Sequence, residues 1–178
     1  VWIGSSSPTF YDVIFRNNYA FSGGAVFIDG QFEPTPAPKF FNCQFINNTA
    51  DAGGAMELYA SKVFMQGCLF TGNKIPGDGI AGAVRVFNNS VMIMDGCTVA
   101  YNSANYGSAF EFYNSTAAIR NSIIAHNKGH DALFVTSESD VFVRYSTIAM
   151  NDGTNWPRAI SGQANRYGNN TSDPMFSQ

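Results

Sequence analysis

The chain has 178 residues, 45% of them hydrophobic and only 13% charged, with 16 Phe, 17 Gly and a net charge of −3. That is enough for one cooperative domain with its own core. The acidic balance, pI about 5.2, offers no basic stripe to displace phosphate counterions and so argues against a nucleic-acid partner; no apolar run approaches the roughly 20 residues of a membrane helix, so no direct membrane span is expected.

Val1-Trp2-Ile3 opens the sequence in mid-strand, with no signal peptide in view and without the cap that a solenoid end requires. The expectation is one domain over 1–178, as a piece of a longer polypeptide. Phe15-Arg16-Asn17-Asn18 and then Gly23-Gly24-Ala25-Val26 introduce two marks. Residues 30–39 interrupt them with three prolines in five positions, which predicts an extruded, stiff loop, since proline is excluded from central strands. The marks return as Phe45-Ile46-Asn47-Asn48 with Gly53-Gly54-Ala55-Met56, and again as Phe70-Thr71-Gly72-Asn73 with Gly82-Ala83-Val84. A second insertion, 75–80, separates that last pair. Loops on a solenoid commonly carry specificity, so both insertions are candidate partner contacts. Val99/Asn102, Ile124/Asn127 and Ile148/Asn151 continue the first mark, and Ser108-Ala109 and Asp131-Ala132 continue the second. Beyond Asn151 the pattern loosens, although Trp156-Pro157-Arg158-Ala159-Ile160 keeps the Ala and the tail from Asn165 to Phe176 reads as a closing repeat.

Successive Asn positions lie 30, 25, 29, 25 and 24 residues apart, the period of a solenoid with insertions. After each Ala, apolar columns (Val26, Met56, Val84, Phe110, Leu133, and two further on Ile28, Leu58, Val86, Phe112, Val135) flank a mixed one, the period of two of a strand. Further strands precede each Phe-x-x-Asn, as in Lys62-Val63-Phe64-Met65, Val91-Met92-Ile93-Met94 and Val141-Phe142-Val143-Arg144. The predicted fold is all-β: a right-handed parallel β-helix of six to seven rungs, about three short strands per rung of about 25 residues, with like positions stacked about 4.8 Å apart.

Four sets of residues bear on chemistry. Cys43, Cys68 and Cys97 share one inward position with Val13, Ser122 and Ser146; an odd count without Cys-x-x-Cys predicts buried free thiols rather than a disulfide or metal site. Asn18, Asn48, Asn73, Asn102, Asn127 and Asn151 form a structural ladder at a turn, each amide bonding its neighbours above and below. The mixed column, Trp2, Phe27, Glu57, Arg85, Glu111 and Phe134, is expected to point outward from one sheet, with Arg85 keeping both glutamates ionised so that no carboxyl has a raised pKa. Beside it run Asp29, Tyr59, Phe87, Tyr113 and Thr136. Tyr59, Phe87 and Tyr113 with Glu57, Arg85 and Glu111 are the candidate partner or glycan surface, against the alternative of an ordinary stacked face covered by a loop. A third outward column, Gln66, Asp95, Arg120 and Arg144, has too few acids for a hard cation. His126 and His130 flank a turn and are not read as catalytic. No catalytic, metal or cofactor motif is present, so no catalytic residue, metal or cofactor is expected. Sequons at Asn47, Asn88, Asn114, Asn169 and Asn170 are candidate N-glycosylation sites.

Phe-x-x-Asn paired with Gly-Gly-Ala-(Ile/Leu/Val), as at Phe15/Asn18 with Gly23–Val26 and Phe45/Asn48 with Gly53–Met56, resembles the repeats of the polymorphic outer membrane proteins of chlamydiae; the likeness spans residues 10–160. It implies a pectin-lyase-like β-helix at a cell surface, used for adhesion as an autotransporter passenger, and its motifs are structural, so no catalytic residue carries over. The expectation is an extracellular or cell-surface structural or adhesive module without catalysis, meeting a protein or polysaccharide. The alternatives are a polysaccharide-binding or polysaccharide-degrading lyase or hydrolase, and a building segment of a surface filament.

Overall fold

A computed structural model describes residues 1–31, 35–153, 155 and 168–175. Runs of three to five residues alternating in burial cannot make a helix face, and no helix forms among the described residues. One coil shows the plan: Met56–Tyr59, Lys62–Gln66 and Leu69–Thr71 are three strands separated by sharp corners. Each pairs in parallel with its counterpart one coil before and after, so Val84 stands between Met56 and Phe110, and Phe70 between Phe45 and Val99.

Three sheets result, each of six strands among the described residues. The first holds Trp2–Gly4, Val26–Asp29, Met56–Tyr59, Val84–Phe87, Phe110–Tyr113 and Leu133–Val135. The second runs from Thr9–Tyr11 to Asp140–Arg144 and the third from Ile14–Arg16 to Thr147–Ala149. Trp2 pairs with Phe27 and Ile3 with Ile28, so the opening residues do occupy the columns read from the repeat. The sequence reading missed a short fourth pairing, Tyr19–Ser22 with Thr49–Ala52, in the interval between the two marks.

Inside, like side chains lie on like. Phe15, Phe45 and Phe70 stack with centroids 4.9 and 4.4 Å apart, and Phe10 stacks on Phe40 at 4.8 Å. The coil spacing sets these distances, and stacked pairs contribute about 0.5–1.5 kcal/mol beyond their buried area. Met56, Met65, Met92 and Met94 fill the space between the sheets.

The corners explain the two marks. A residue with positive φ turns the chain: Asn47, Gly72, Tyr101 and His126 after the third sheet, Asn42, Gly67, Gly96 and Asn121 after the second. The N–H that follows such a turn loses its ladder partner, and a side chain from the next coil takes it. The Asn48 N–H donates to Asn73 Oδ1 at 2.9 Å, the Cys97 N–H to Ser122 Oγ at 3.1 Å, and the Ser61 N–H to Ser90 Oγ at 3.1 Å. In the Gly-Gly-Ala mark, Gly53 has φ +60, and a Cβ on Gly54 would lie 2.1 Å from the Gly82 carbonyl oxygen of the next coil. The second Gly is therefore a close-approach position between coils, and the first is a left-handed turn.

The insertion at 30–39 differs from expectation. Phe32, Glu33 and Pro34 lie outside the described residues, but Pro36 and Pro38 are buried just ahead of the strand Lys39–Phe41, outside any strand yet not extruded. The Pro36 carbonyl accepts from the Lys62 N–H at 3.0 Å and the Pro38 carbonyl from the Phe64 N–H at 3.2 Å. Proline cannot donate, but it accepts as well as any residue, so these two cost the ladder only donors. In the second insertion, Ile75 is buried and Ile80 bridges Ala52 and Tyr106, which confines the bulge to Pro76–Gly79. The expectations on Trp156–Ile160, on Asn165–Tyr167 and on Phe176 lie outside the described residues.

Candidate functional site

The outer face of the first sheet gathers the six candidate surface residues. Parallel register sets Glu57, Arg85 and Glu111 in one file and Tyr59, Phe87 and Tyr113 in the file beside it. Arg85 Nε donates to Glu111 Oε2 at 2.6 Å, whereas its Nη1 is 3.7 Å from Glu57 Oε1. The guanidinium also lies 4.3 Å above the Phe87 ring, a cation–π contact. Tyr59 meets Phe87 edge-on at 4.9 Å, and Tyr113 stands 54% exposed.

Two expectations about this file are corrected. Glu57 and Glu111 do not reach solvent, for each residue is only 3% exposed. The file points away from the core, but Ser22 and Gly23, where the Gly-Gly-Ala mark of the coil before begins, lie against Glu57. Nor does Arg85 keep Glu57 ionised at low pH: burial pushes the Glu57 carboxyl up to about 7, against the pull of Arg85, Ser22 and the Gly23 amide. The cation leans toward Glu111, and Glu57 Oε2 has no hydrogen-bond partner among the described residues. One guanidinium shared between two buried carboxylates leaves one of them poorly compensated.

The three cysteines are free and buried. The Cys68 N–H donates to Cys97 Sγ at 3.3 Å. Hydrogen bonding with Cys97, then burial, holds the Cys68 thiol well above its ordinary range, and burial raises Cys43. Ser122 and Ser146 continue the same file, and Asn169 ends it: its Oδ1 accepts from the Ser146 N–H at 2.8 Å and its Nδ2 donates to the Val143 carbonyl at 2.7 Å.

The six ladder asparagines stand in single file. Each Oδ1 from Asn48 to Asn151 accepts both the N–H and the Nδ2 of the preceding asparagine, at 2.8–3.1 Å. Nδ2 donates in addition to a carbonyl of the preceding coil, as from Asn73 to Phe45 at 2.8 Å. Asn155 closes the file by accepting both donors of Asn151. The closing roles of Asn155 and Asn169, and the corner file of Ser61, Ser90 and Ser115, were not read from the sequence. The serines recur in step with the cysteine file and carried a usable signal; Asn155 sits four residues from Asn151 and follows no period.

Elsewhere, Asp95, Arg120 and Arg144 align on the second sheet, with Arg120 Nε donating to Asp95 Oδ2 at 3.1 Å. His126 Nε2 lies 3.4 Å from Asp173 Oδ1 and stacks on Tyr101, and His130 stacks on Tyr106. Of the sequons, Asn47 and Asn170 are exposed, Asn88 and Asn114 half-buried, and the Asn169 amide is committed to the two bonds above. Among the described residues, no three His, Cys, Asp or Glu side chains cluster as metal ligands do.

Stacked parallel coils, three continuous sheets and inward polar files define a parallel β-solenoid. The family described as "Right handed beta helix region" matches residues 66–172, more than half of the chain, and the chain belongs to that family. Searches of curated proteins and of solved structures each returned no match.

Proposed function

We propose that the chain is an extracellular or cell-surface module, structural or adhesive and without catalysis, whose contact face is the aromatic file Tyr59–Phe87–Tyr113. The observation that carries this reading is the contrast on one sheet face: the two carboxylates are 3% exposed, while Tyr113 beside them is 54% exposed. A partner laid on this face meets aromatic edges, and the charges beneath set their height. Rigidity comes from the files of buried hydrogen bonds, which tie every coil to the next. The likeness of the two marks to chlamydial surface-protein repeats supports display outside the cell, and exposed Asn47 and Asn170 with half-buried Asn88 and Asn114 remain the candidate glycan positions.

One observation favours a glycoside hydrolase instead. Glu57, raised to about 7, and Glu111, ion-paired, stand two coils apart, about 9–10 Å, at the upper edge of the separation of an inverting pair. Their burial weighs against it, because a glycosidic oxygen must touch the acid. Two measurements separate the readings. Binding of the full chain to cells or to an extracellular-matrix array should fall in Tyr113→Ala and Tyr59→Ala while thermal unfolding stays unchanged. A polysaccharide cleavage screen should show no product; cleavage abolished in Glu57→Gln would replace the adhesive reading with the hydrolytic one.

A further inference from the structure

The outer face of the second sheet is built from files set by register. One runs Tyr11, Phe41, Gln66, Asp95, Arg120 and Arg144, and the file beside it Thr9, Lys39, Phe64, Ile93, Ala118 and Phe142. The first file is aromatic at one end and cationic at the other. Tyr11 is 64% exposed and stacks on Phe41 at 5.0 Å, and Phe41 meets Phe64 at 5.6 Å. At the far end Arg120 and Arg144 are direct register partners, about 4.8 Å apart, where like charges repel.

The charges are unevenly matched within the chain. Arg120 Nε donates to Asp95 Oδ2 at 3.1 Å, but Arg144 has no ion-pair partner among the described residues. Nor has Lys39, nor Asp140 two residues before Phe142, nor Asp12 at the corner beside Tyr11, and all four are exposed. Between the exposed Ile93 and Phe142, Ala118 has no side chain beyond Cβ. The gap is a notch of about 240 Å³ lined by Ala118, Ile119, Arg120, Phe142 and Arg144.

A two-fold axis along the strands, at the middle of the sheet, turns this asymmetry into a match. It reverses the order of the coils and sets each file against itself, as an isologous contact requires. Asp12 and Tyr11 of one copy then face Arg144 of the other, an ion pair with a ring beneath the guanidinium. Phe41 faces Arg120, Gln66 faces Asp95, and Phe64 faces Ile93. Lys39 faces Ala118, so its stem lies over the notch and its ammonium reaches toward Asp140. The four unmatched charges thus meet opposites. A two-fold along the coil axis would instead set Lys39 against Lys39 and leave Asp12 without a cation. Six strands span about 29 Å, and the strands with their corner residue about 20 Å, so such a pair buries on the order of 1,200 Å², the lower limit for specific complexes.

We infer that this face binds a second copy of the chain, face to face and antiparallel, as a weak two-fold dimer held by Asp12–Arg144 and Lys39–Asp140 contacts around a Phe64–Ile93 centre. The face lies on another sheet from Tyr59–Phe87–Tyr113 and does not depend on the reading of that surface.

The test is sedimentation equilibrium of the full chain up to about 1 mM, where a reversible dimer with a Kd on the order of 10–100 µM should appear and weaken in 1 M NaCl. Asp12→Arg and Arg144→Asp each set like charges together at both ends of the dimer, and each alone should weaken it at least about tenfold. An equimolar mixture of the two variants should dimerise at least as well as the parent, because both ends then regain opposite charges. Circular-dichroism melting checks that the variants fold; Lys39→Glu and Asp140→Lys form a second pair with the same expected loss and the same recovery on mixing. The inference is overturned if the parent stays monomeric, or if its mass grows past the dimer with concentration. It is equally overturned if the folded single variants dimerise as the parent does, or if mixing them restores nothing.

Discussion

Replacing Glu57 with glutamine removes a buried carboxyl that Arg85 compensates only in part. The folded state holds the Glu57 carboxyl at about 7, against an ordinary value of 4.5, chiefly because burial penalises the anion. Between those two pH values the folded chain keeps a proton that the unfolded chain has released. Stability linked to this group is therefore intact below pH 4.5, falls as pH rises through the window, and is gone above about 7. A displacement of that size corresponds to about 3 kcal/mol. Glu57→Gln keeps the shape and removes the ionisation, so at pH 8 it should be more stable than the parent by about 2–3 kcal/mol. For a domain of this size that is an increase in Tm of about 5–10 °C. At pH 4.5 the two proteins should melt together. The assay is urea or thermal unfolding of both proteins from pH 4 to pH 8, taking the difference so that other titrating groups cancel. Parallel stability curves across the whole range would refute the argument, because they would mean that Arg85 compensates Glu57 in full despite the 3.7 Å separation.

The polar files offer sharper contrasts. Asn73→Ala strands the Asn48 N–H and the Phe45 carbonyl in the interior and should cost about 3–5 kcal/mol in urea unfolding, whereas Asn18→Ala, at the exposed end of the same file, should cost under about 1 kcal/mol; equal costs would contradict the ladder as a buried network. All three thiols should resist an aromatic disulfide reagent in the native state and react stoichiometrically in denaturant, with rapid native reaction of Cys68 as the contrary result. Cys97→Ser should shift stability by less than about 1 kcal/mol, because Ser122 and Ser146 already make the same bond in later coils. Phe45→Ala, which opens the middle of a three-ring stack, should lose about 3–5 kcal/mol by denaturant titration, and a loss below 1 kcal/mol would mean that the neighbouring coils close the gap.

Much of the architecture follows from the repeat alone. A side-chain period of two, turn residues at fixed offsets and a recurrence near 25 residues leave few ways to bury the apolar columns other than piling coils in register. The alignments Glu57–Arg85–Glu111 and Asn48–Asn73–Asn102 were therefore legible before any coordinate, since register in a solenoid is a matter of counting. Pro36 and Pro38 lie outside every strand, as the same kind of counting predicts, but they are buried rather than extruded. A missing donor at Pro36 and Pro38 says nothing about a carbonyl that accepts toward the following coil.

Solvent access was a different matter. Alternation told which side of the sheet Glu57 faces, yet not that Ser22 and Gly23 of the coil before would lie against it, because such cover comes from residues more than thirty positions away. The one-dimensional pattern thus determined the coil, its files and their order. Only the packed structure decided that one carboxyl is desolvated, that Arg85 favours Glu111, and that a notch opens at Ala118, for each of these depends on distances between side chains of different coils and not on their place in the repeat.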